Sequence, residues 1–367
     1  MLPEFVYITR FAVKAGGHGG NRRTRQMAEL FAELGVRLAN ISPYAGGGEF
    51  NSDSVLFSPD RDFDSLYGFN GHIASQLSTD RSLAEAVASS AIKGAVVDDP
   101  VFFPHTMRVF AEKGIPVVSV IHNIEAFLPR SMEIKPQWDV LQEEVRTAMS
   151  SGLCVTIARE DAWLLRNMGV ECYNFPYFPS ADVEAQLAGI RISRRKSEKK
   201  FCLCMGTAFN PPTLFGMKRL VENWPGLTGG QLPLVLAGYG VERFFIQENM
   251  PASVIVAGGV DDEKLGSLLS ECIACVLHQD VGAGALTKIP ELLRAGIPVV
   301  ASQHAARSYG GCAGVYEYQD LVELPQVLAQ VMQKQSAPTP LVRADKKQLL
   351  CNVAEVLGIK SRHHSRQ

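Results

Sequence analysis

Cysteine is missing from the first 153 residues of this 367-residue chain; the eight cysteines stand at 154, 172, 202, 204, 272, 275, 312 and 351. A disulfide framework does not leave nearly half of a chain unstapled, so a reducing compartment is expected. An excess of either charge is missing as well: 36 Lys and Arg against 38 Asp and Glu leave a formal −2. That balance gives no global attraction to nucleic acid, and none is expected as a partner. Long apolar runs are also lacking. The longest uncharged stretches, 201–217 and 224–241, are broken by Pro211, Pro212, Pro233 and several glycines, and neither reads as a membrane span. Residues 1–10 have no basic stretch followed by an apolar run, so no signal peptide is expected. What is present is a 46% apolar composition, enough for two cores at about 150 residues per domain. The expectation is a cytoplasmic, two-domain globular protein.

Short β-branched runs alternate with helical patterns. Strands are expected at 5–9, 36–41, 55–58, 94–97, 116–121 and 153–157, then at 201–205, 232–237, 254–256, 273–277 and 299–302. Helices are expected at 21–34, 81–90, 104–113, 140–149 and 159–168, then at 213–223, 261–270, 288–295 and 321–333. This rhythm predicts α/β architecture: two Rossmann-like parallel-sheet domains, each buried on both faces and facing the other across a cleft. The run at 191–200, RISRRKSEKK, has six basic residues and one acid. It reads as a solvated linker, or as a phosphate or membrane contact. The boundaries are set at 1–185, a linker at 186–200, 201–335, and a C-terminal helix with a disordered tail at 336–367.

Ligands of open parallel sheets bind beyond the carboxyl ends of strands, so the residues after each strand carry the chemistry. After the first strand comes Lys14-Ala-Gly-Gly-His-Gly-Gly-Asn21, followed by Arg22, Arg23 and Arg25. From 5 to 28 there are five basic residues and no acid. Cations in the first turn of a helix oppose its dipole by roughly 0.3–1 kcal/mol each. An anion site formed by Gly17, Gly19, Gly20 and Arg22 explains the mismatch; a flexible glycine loop before a surface helix is the alternative. The spacing is not G-x-G-x-x-G, and no acid ends the second strand, which disfavours NAD. His122 and Asn123 follow one strand end, and Asp98 and Asp99 another. His122 can donate to a ligand oxygen or shuttle a proton. The two aspartates can bind an acceptor hydroxyl, or form the turn before Pro100.

The densest string is VLHQDVGAGALTKIPELLRAGIPVVAS, starting at 276. Gly282 and Gly284 loosen a loop, Thr287 can cap a helix, Lys288 offers a charge for phosphate, and Glu291 offers two acceptor oxygens that suit a ribose diol. Cys202-x-Cys204 and Cys272-x-x-Cys275 do not make a zinc site, and no metal is expected.

At Thr287-Lys-Ile-Pro-Glu291 with Arg294-Ala-Gly-Ile-Pro-Val-Val-Ala301, the chain resembles GT-B glycosyltransferases and is most similar to glycosyltransferase family 4. Gly16-Gly-His-Gly-Gly20, His122-Asn-Ile-Glu125, 155–161, 174–179, Met205-Gly206 onward and 236–240 resemble further family motifs. The resemblance implies sugar transfer from a nucleotide-sugar donor to a glycan or lipid-linked saccharide, with retention of configuration. It implies no metal and no cofactor, the nucleotide-sugar being a co-substrate. It places His122 at the catalytic centre and the donor on Gly17, Gly19, Gly20, Arg22, Gly206, Gly284, Thr287, Lys288 and Glu291. The acceptor falls to Asp98, Asp99 and Asn123, in an N-terminal acceptor domain. The basic run allows peripheral contact with the inner face of a membrane. Two departures stand out. The family usually has a second glutamate separated from this one by seven residues; counting back from Glu291, this chain has Ala283 there, with Asp280 the nearest carboxylate. No basic residue occurs between Gly206 and Thr213. They raise the alternative of a GT-B binding subunit that partners another glycosyltransferase; an epimerase on the same fold is a third reading, for which the sequence has too few cleft carboxylates.

Overall fold

A computed structural model describes residues 2, 4–11, 13, 17, 19–41, 71–128, 137–333 and 338–359, with the backbone alone for 71–78. The chain divides into two compact units. The first is built from β1 (Phe5–Ile8), α1 (Gly19–Phe31), β2 (Leu38–Ile41), α2 (Gly71–Ala88), β3 (Gly94–Asp98), α3 (Pro104–Glu112), β4 (Val117–Ile121), α4 (Gln137–Met149), β5 (Leu153–Thr156), α5 (Arg159–Asn167) and β6 (Cys172–Asn174). The second contains α6 (Ala181–Arg194), β7 (Phe201–Met205), α7 (Pro211–Thr228), β8 (Leu234–Ala237), α8 (Val241–Phe244), β9 (Val254–Gly258), α9 (Asp262–Glu271), β10 (Cys272–Leu277), α10 (Lys288–Arg294), β11 (Val299–Ser302), β12 (Val315–Tyr318) and α11 (Leu324–Gln333). The chain then returns to the first unit with α12 (Lys346–Val356).

Both sheets are parallel. The first has the order β2-β1-β3-β4-β5-β6, the second β12-β11-β10-β7-β8-β9. Each order reverses once, between β1 and β3 and between β7 and β10. At such a switch point the connections leave in opposite directions and open a crevice beyond the strand ends. The cores explain the apolar runs. Successive residues of a strand point to opposite faces. Val6 and Ile8 pack with Leu83, Phe103 and Phe110 on one face of the first sheet. Tyr7 packs with Met27 and Phe31 on the other, where Leu349, Leu350 and Val353 of α12 close the layer. The second sheet has two such cores, one around Trp224 and one around Leu292 and Leu293. All eight cysteines are free thiols, and six are buried.

Three sequence expectations need restating. The strand expected at 55–58 and the tail at 361–367 lie outside the described residues. β6 and β12 were not expected; they are three- and four-residue edge strands carrying polar side chains. The third concerns the basic run, which is not a linker. The units divide at Tyr177, and 181–194 is a helix of the second unit. Arg194 is buried: Nη1 donates to the carbonyls of Leu269 and Cys272, both at 2.7 Å, and Nε to Gly296 at 3.1 Å. Arg191 donates to the carbonyls of Leu293, Arg294 and Pro338. The last carbonyls of a helix have no partner within it and carry its negative pole, so cations satisfy them. Two arginines of the run therefore hold the ends of α9 and α10. Among the described residues no helix is long and apolar enough to cross a membrane.

Candidate functional site

Each switch point carries a cluster of polar residues. In the first unit, Asp98 is the last residue of β3 and is fully buried. Tyr7 donates its hydroxyl to Oδ1 at 3.0 Å, and Thr24 of α1 donates to Oδ2 at 2.6 Å. His122, one residue past β4, brings Nε2 to 3.3 Å from Asp98 Oδ1. That approach is an ion-pair contact off the line of a good hydrogen bond. Asp98 is thus wholly engaged inside the protein and has no oxygen to offer an acceptor, unlike the sequence expectation.

Asp99 differs. Its φ is +46°, a left-handed conformation that Asp tolerates better than most side chains. The bend returns the carboxylate to β4, where Oδ1 accepts the His122 backbone N–H at 2.9 Å. Oδ2 is buried without a hydrogen-bond partner, 3.9 Å from His122 Nδ1 and 3.7 Å from Arg10. Burial pulls the His122 imidazole down, but the charges of Asp99 and Asp98 outweigh it and its pKa rises. Asp99 also lines a small hollow, of about 20 Å³, with Ile121, Asn123, Ile124, Glu144 and Leu165.

Glu144 of α4 has no signal in the sequence. It lies mid-helix in an ordinary charged stretch, yet is buried and accepts the backbone N–H groups of Glu125 at 2.6 Å and Ala126 at 2.9 Å. It thereby anchors the turn after His122 and Asn123. Burial pushes its carboxyl up to about 8, against the pull of the two amides. Between the ordinary value of 4.5 and about 8 the native state holds a proton that the unfolded chain has lost. Stability contributed here therefore falls as pH rises through that window and levels off above it. Urea midpoints at pH 5, 6.5 and 8 are expected to show a shallower decline in Glu144→Gln than in the wild type. An identical decline contradicts the assignment.

The acid-free basic segment is less open than its composition suggests. Arg10 lies 3.4 Å from Glu125 Oε1 and 3.6 Å over the Phe102 ring. Arg23 is buried and donates to Gln26 at 2.6 Å. Arg25 pairs with Glu29 at 2.7 Å, and Arg22 hydrogen-bonds the Tyr177 hydroxyl. Local partners on α1 and remote ones, Glu125 and Tyr177, together engage the cations of 5–28. Gly17 has φ +113°, and Gly19 and Gly20 open α1. Lys14, Gly16 and His18 lie outside the described residues.

In the second unit, Gly206 follows β7 and Lys288 opens α10, and the two meet at the switch point. Lys288 Nζ donates to the Met205 carbonyl at 2.8 Å, and a Cβ on Gly206 would lie 2.6 Å from that nitrogen. The cation absent from 206–213 in sequence is thus brought there by Lys288. It borders a small hollow, of about 10 Å³, with Met205, Thr213, His278, Gln279 and Leu286. Glu291, one turn further along α10, is buried. Thr287 does not cap this helix: its backbone is itself helical and its hydroxyl makes no cap bond. The Ile289 amide is taken by the Leu286 carbonyl, and Pro290 has no N–H.

The loop between β10 and α10 is held by Arg307, another residue the sequence reading missed. It donates to the carbonyls of Ala283 at 2.9 Å and Gly284 at 3.0 Å. Gly284 has φ +68°, where glycine is unstrained. Asp280, the carboxylate nearest to Ala283, has partners of its own. It pairs with His278 Nε2 at 3.2 Å and lies 3.8 Å from Arg219 on α7. His278 Nδ1 is 2.9 Å from the Tyr318 hydroxyl, and burial lowers its pKa despite Asp280. Among the described residues no cluster of His, Cys, Asp and Glu could hold a metal ion.

No protein-family model matches the sequence, and no curated protein matches it. Solved structures match along its length. A sucrose-phosphate synthase from Thermosynechococcus elongatus gives a TM-score of 0.61 at 14% identity, covering 97% of this chain and 94% of that one. Anabaena HepE, solved in complex with UDP, gives 0.64 at 14% identity, covering 97% and 100%. The UDP-GlcNAc 2-epimerase of Methanocaldococcus jannaschii, solved with UDP-GlcNAc and UDP, gives 0.57 at 12% identity, covering 96% and 98%. At such identities the shared property is the fold. It is the GT-B fold, two Rossmann-like domains in one chain, as the sequence motifs led one to expect.

Proposed function

We propose that this chain is a glycosyltransferase that moves a hexose-type sugar from a nucleotide-sugar to a hydroxyl of a glycan or lipid-linked saccharide, with retention and without a metal ion. One observation carries the reading: the Lys288 ammonium is fixed beside Gly206 at the switch point of the second sheet. A fixed cation with backbone close by suits a leaving diphosphate, whose developing charge it stabilises. Two of the structural neighbours were solved with UDP bound.

In this reading the second unit is the donor domain. Lys288 holds the diphosphate, Gly206 and Gly284 admit it close to the backbone, and Glu291 holds the ribose diol. Thr287 lies on the same loop, and Gly17, Gly19, Gly20 and Arg22 are the donor contacts proposed from the first unit. The first unit is the acceptor domain, with Asp99, Asn123 and His122 around the acceptor hydroxyl. The second reading, a nucleotide-sugar-binding subunit without turnover, is favoured by Ala283 and by the engagement of Asp280 with His278 and Arg219.

A thermal-shift screen of UDP-, GDP-, dTDP- and CMP-sugars tests the donor site. A ligand at a hundred times its Kd adds about 2.7 kcal/mol, several degrees for a domain of this size. One nucleotide class is expected to stabilise well above the others. No shift with any of the four contradicts both readings.

A further inference from the structure

We propose that Asp98 is the positioning residue of the first unit: together with Asp99 it orients the His122 ring and favours its charged form, so that His122 serves as a hydrogen-bond donor and not as a base. The second half of the proposal names what the pair Asp99 and His122 takes: one hydroxyl group of the acceptor. That half rests on the glycosyltransferase reading; the first half does not.

The geometry carries it. Both ring nitrogens of His122 face a carboxylate, Nε2 at 3.3 Å from Asp98 and Nδ1 at 3.9 Å from Asp99. Neutral imidazole has a proton on only one nitrogen and turns a lone pair toward the other carboxylate; imidazolium is attracted by both, although neither approach is a hydrogen bond. Asp98 is fixed by donors from two elements, Tyr7 on β1 and Thr24 on α1, which leave it no freedom to turn away. The other groups bearing on the ring fall on both sides. Arg23 of α1 opposes the charged form. Glu125, in the turn after His122, favours it through their mutual attraction. Arg10 and Glu144 act on Asp99 and on the turn. Phe11 covers the ring at 5.7 Å between centroids.

The same geometry leaves one opening. Asp99 Oδ2 is buried and has no hydrogen-bond partner, and Asp99 and Asn123 are both among the residues that line the small hollow of this unit. Two atoms 3.9 Å apart can both be reached at about 2.8 Å by a single oxygen. A hydroxyl placed there donates to Asp99 Oδ2 and accepts from His122 Nδ1. A phosphate or carboxylate oxygen satisfies the histidine but leaves Oδ2 facing another anion. The site therefore selects hydroxyls.

The test is an NMR titration of His122 in the full chain, its signal assigned by loss in His122→Gln. In the wild type, 15N shifts at pH 7 are expected to show both ring nitrogens protonated, and the midpoint to lie above the ordinary histidine value of about 6.5. Asp98→Asn is expected to move the midpoint to lower pH; Tyr7→Phe, which leaves the carboxylate in place, keeps it above 6.5. A wild-type ring with one protonated nitrogen at pH 7 overturns the proposal, and so does an unchanged midpoint in Asp98→Asn. If Asp98→Asn does not fold, the wild-type nitrogen shifts decide alone. Where turnover of a nucleotide-sugar is seen, its alkaline limb is expected to move to lower pH in Asp98→Asn; a fixed limb contradicts the role. A protein that shows the titration but transfers no sugar keeps the Asp98 assignment and loses the glycosyltransferase reading.

Discussion

Lys288→Ala is expected to lower affinity for a nucleoside diphosphate by about a hundredfold or more while leaving the protein folded. A charge-assisted contact to phosphate is roughly twice as strong as a neutral one, and removing one donor to a developing anion commonly costs 10²–10³ in rate. The side chain is half-buried and its Nζ donates to the Met205 carbonyl, a backbone group that water can reach once the side chain is removed. Gly206→Ala gives an independent reading of the same point. Its Cβ would lie 2.6 Å from Nζ and 2.7 Å from Thr213 Cγ2. The flexible lysine can withdraw, which displaces the cation, while the contact with Thr213 and the φ of +159° add strain of their own. Calorimetric titration with the best nucleotide from the screen measures both variants. Wild-type affinity in Lys288→Ala contradicts the placement of the diphosphate.

Gly216→Ala is expected to unfold the second unit at ordinary temperature, although helix propensity argues the other way. Alanine is better than glycine in a helix interior by about 1 kcal/mol. In α7, however, a Cβ at 216 would lie 1.7 Å from the His278 carbonyl oxygen and 2.7 Å from its carbon. Overpacking of side chains costs about 1–3 kcal/mol, and here neither partner has a rotamer to escape into. Separating α7 from the end of β10 gives up burial of Met217 and Leu220 as well. A loss of several kcal/mol is large against a total of about 5–15. Gly266→Ala in α9 is the control: nothing lies within 4 Å of its Cβ, so it is expected to be neutral or stabilising by up to about 1 kcal/mol. Urea unfolding followed by circular dichroism separates the two. A stable Gly216→Ala places α7 farther from His278 than described.

These effects show which parts of the molecule could be read in advance. β7 and β11 fall on the residues expected, because a strand buried on both faces is an unbroken apolar run between turn residues. The strand-end positions of Asp98, Asp99, His122 and Gly206 were legible for the same reason, and Lys288 at the start of its helix from the apolar pattern that follows it. What each residue does there was not, because the partners are remote. Tyr7 and Thr24 reach Asp98 across 91 and 74 positions, and Lys288 reaches Met205 across 83. The basic run misled because charge density is a local property. Arg194 answers carbonyls 75, 78 and 102 residues away, which no window of sequence contains. Arg307 and Glu144 have no local signal of any kind; they are identified by the backbone groups they satisfy.

The account stands or falls on turnover. The purified chain is incubated with the nucleotide-sugar that stabilises it most and with a panel of saccharide acceptors, and released nucleotide and sugar products are followed by proton NMR. The expected result is release of nucleoside diphosphate matched by a new glycoside, with the anomeric configuration of the donor kept. Isomerised sugar, or binding with no released diphosphate under any acceptor, contradicts sugar transfer by this chain.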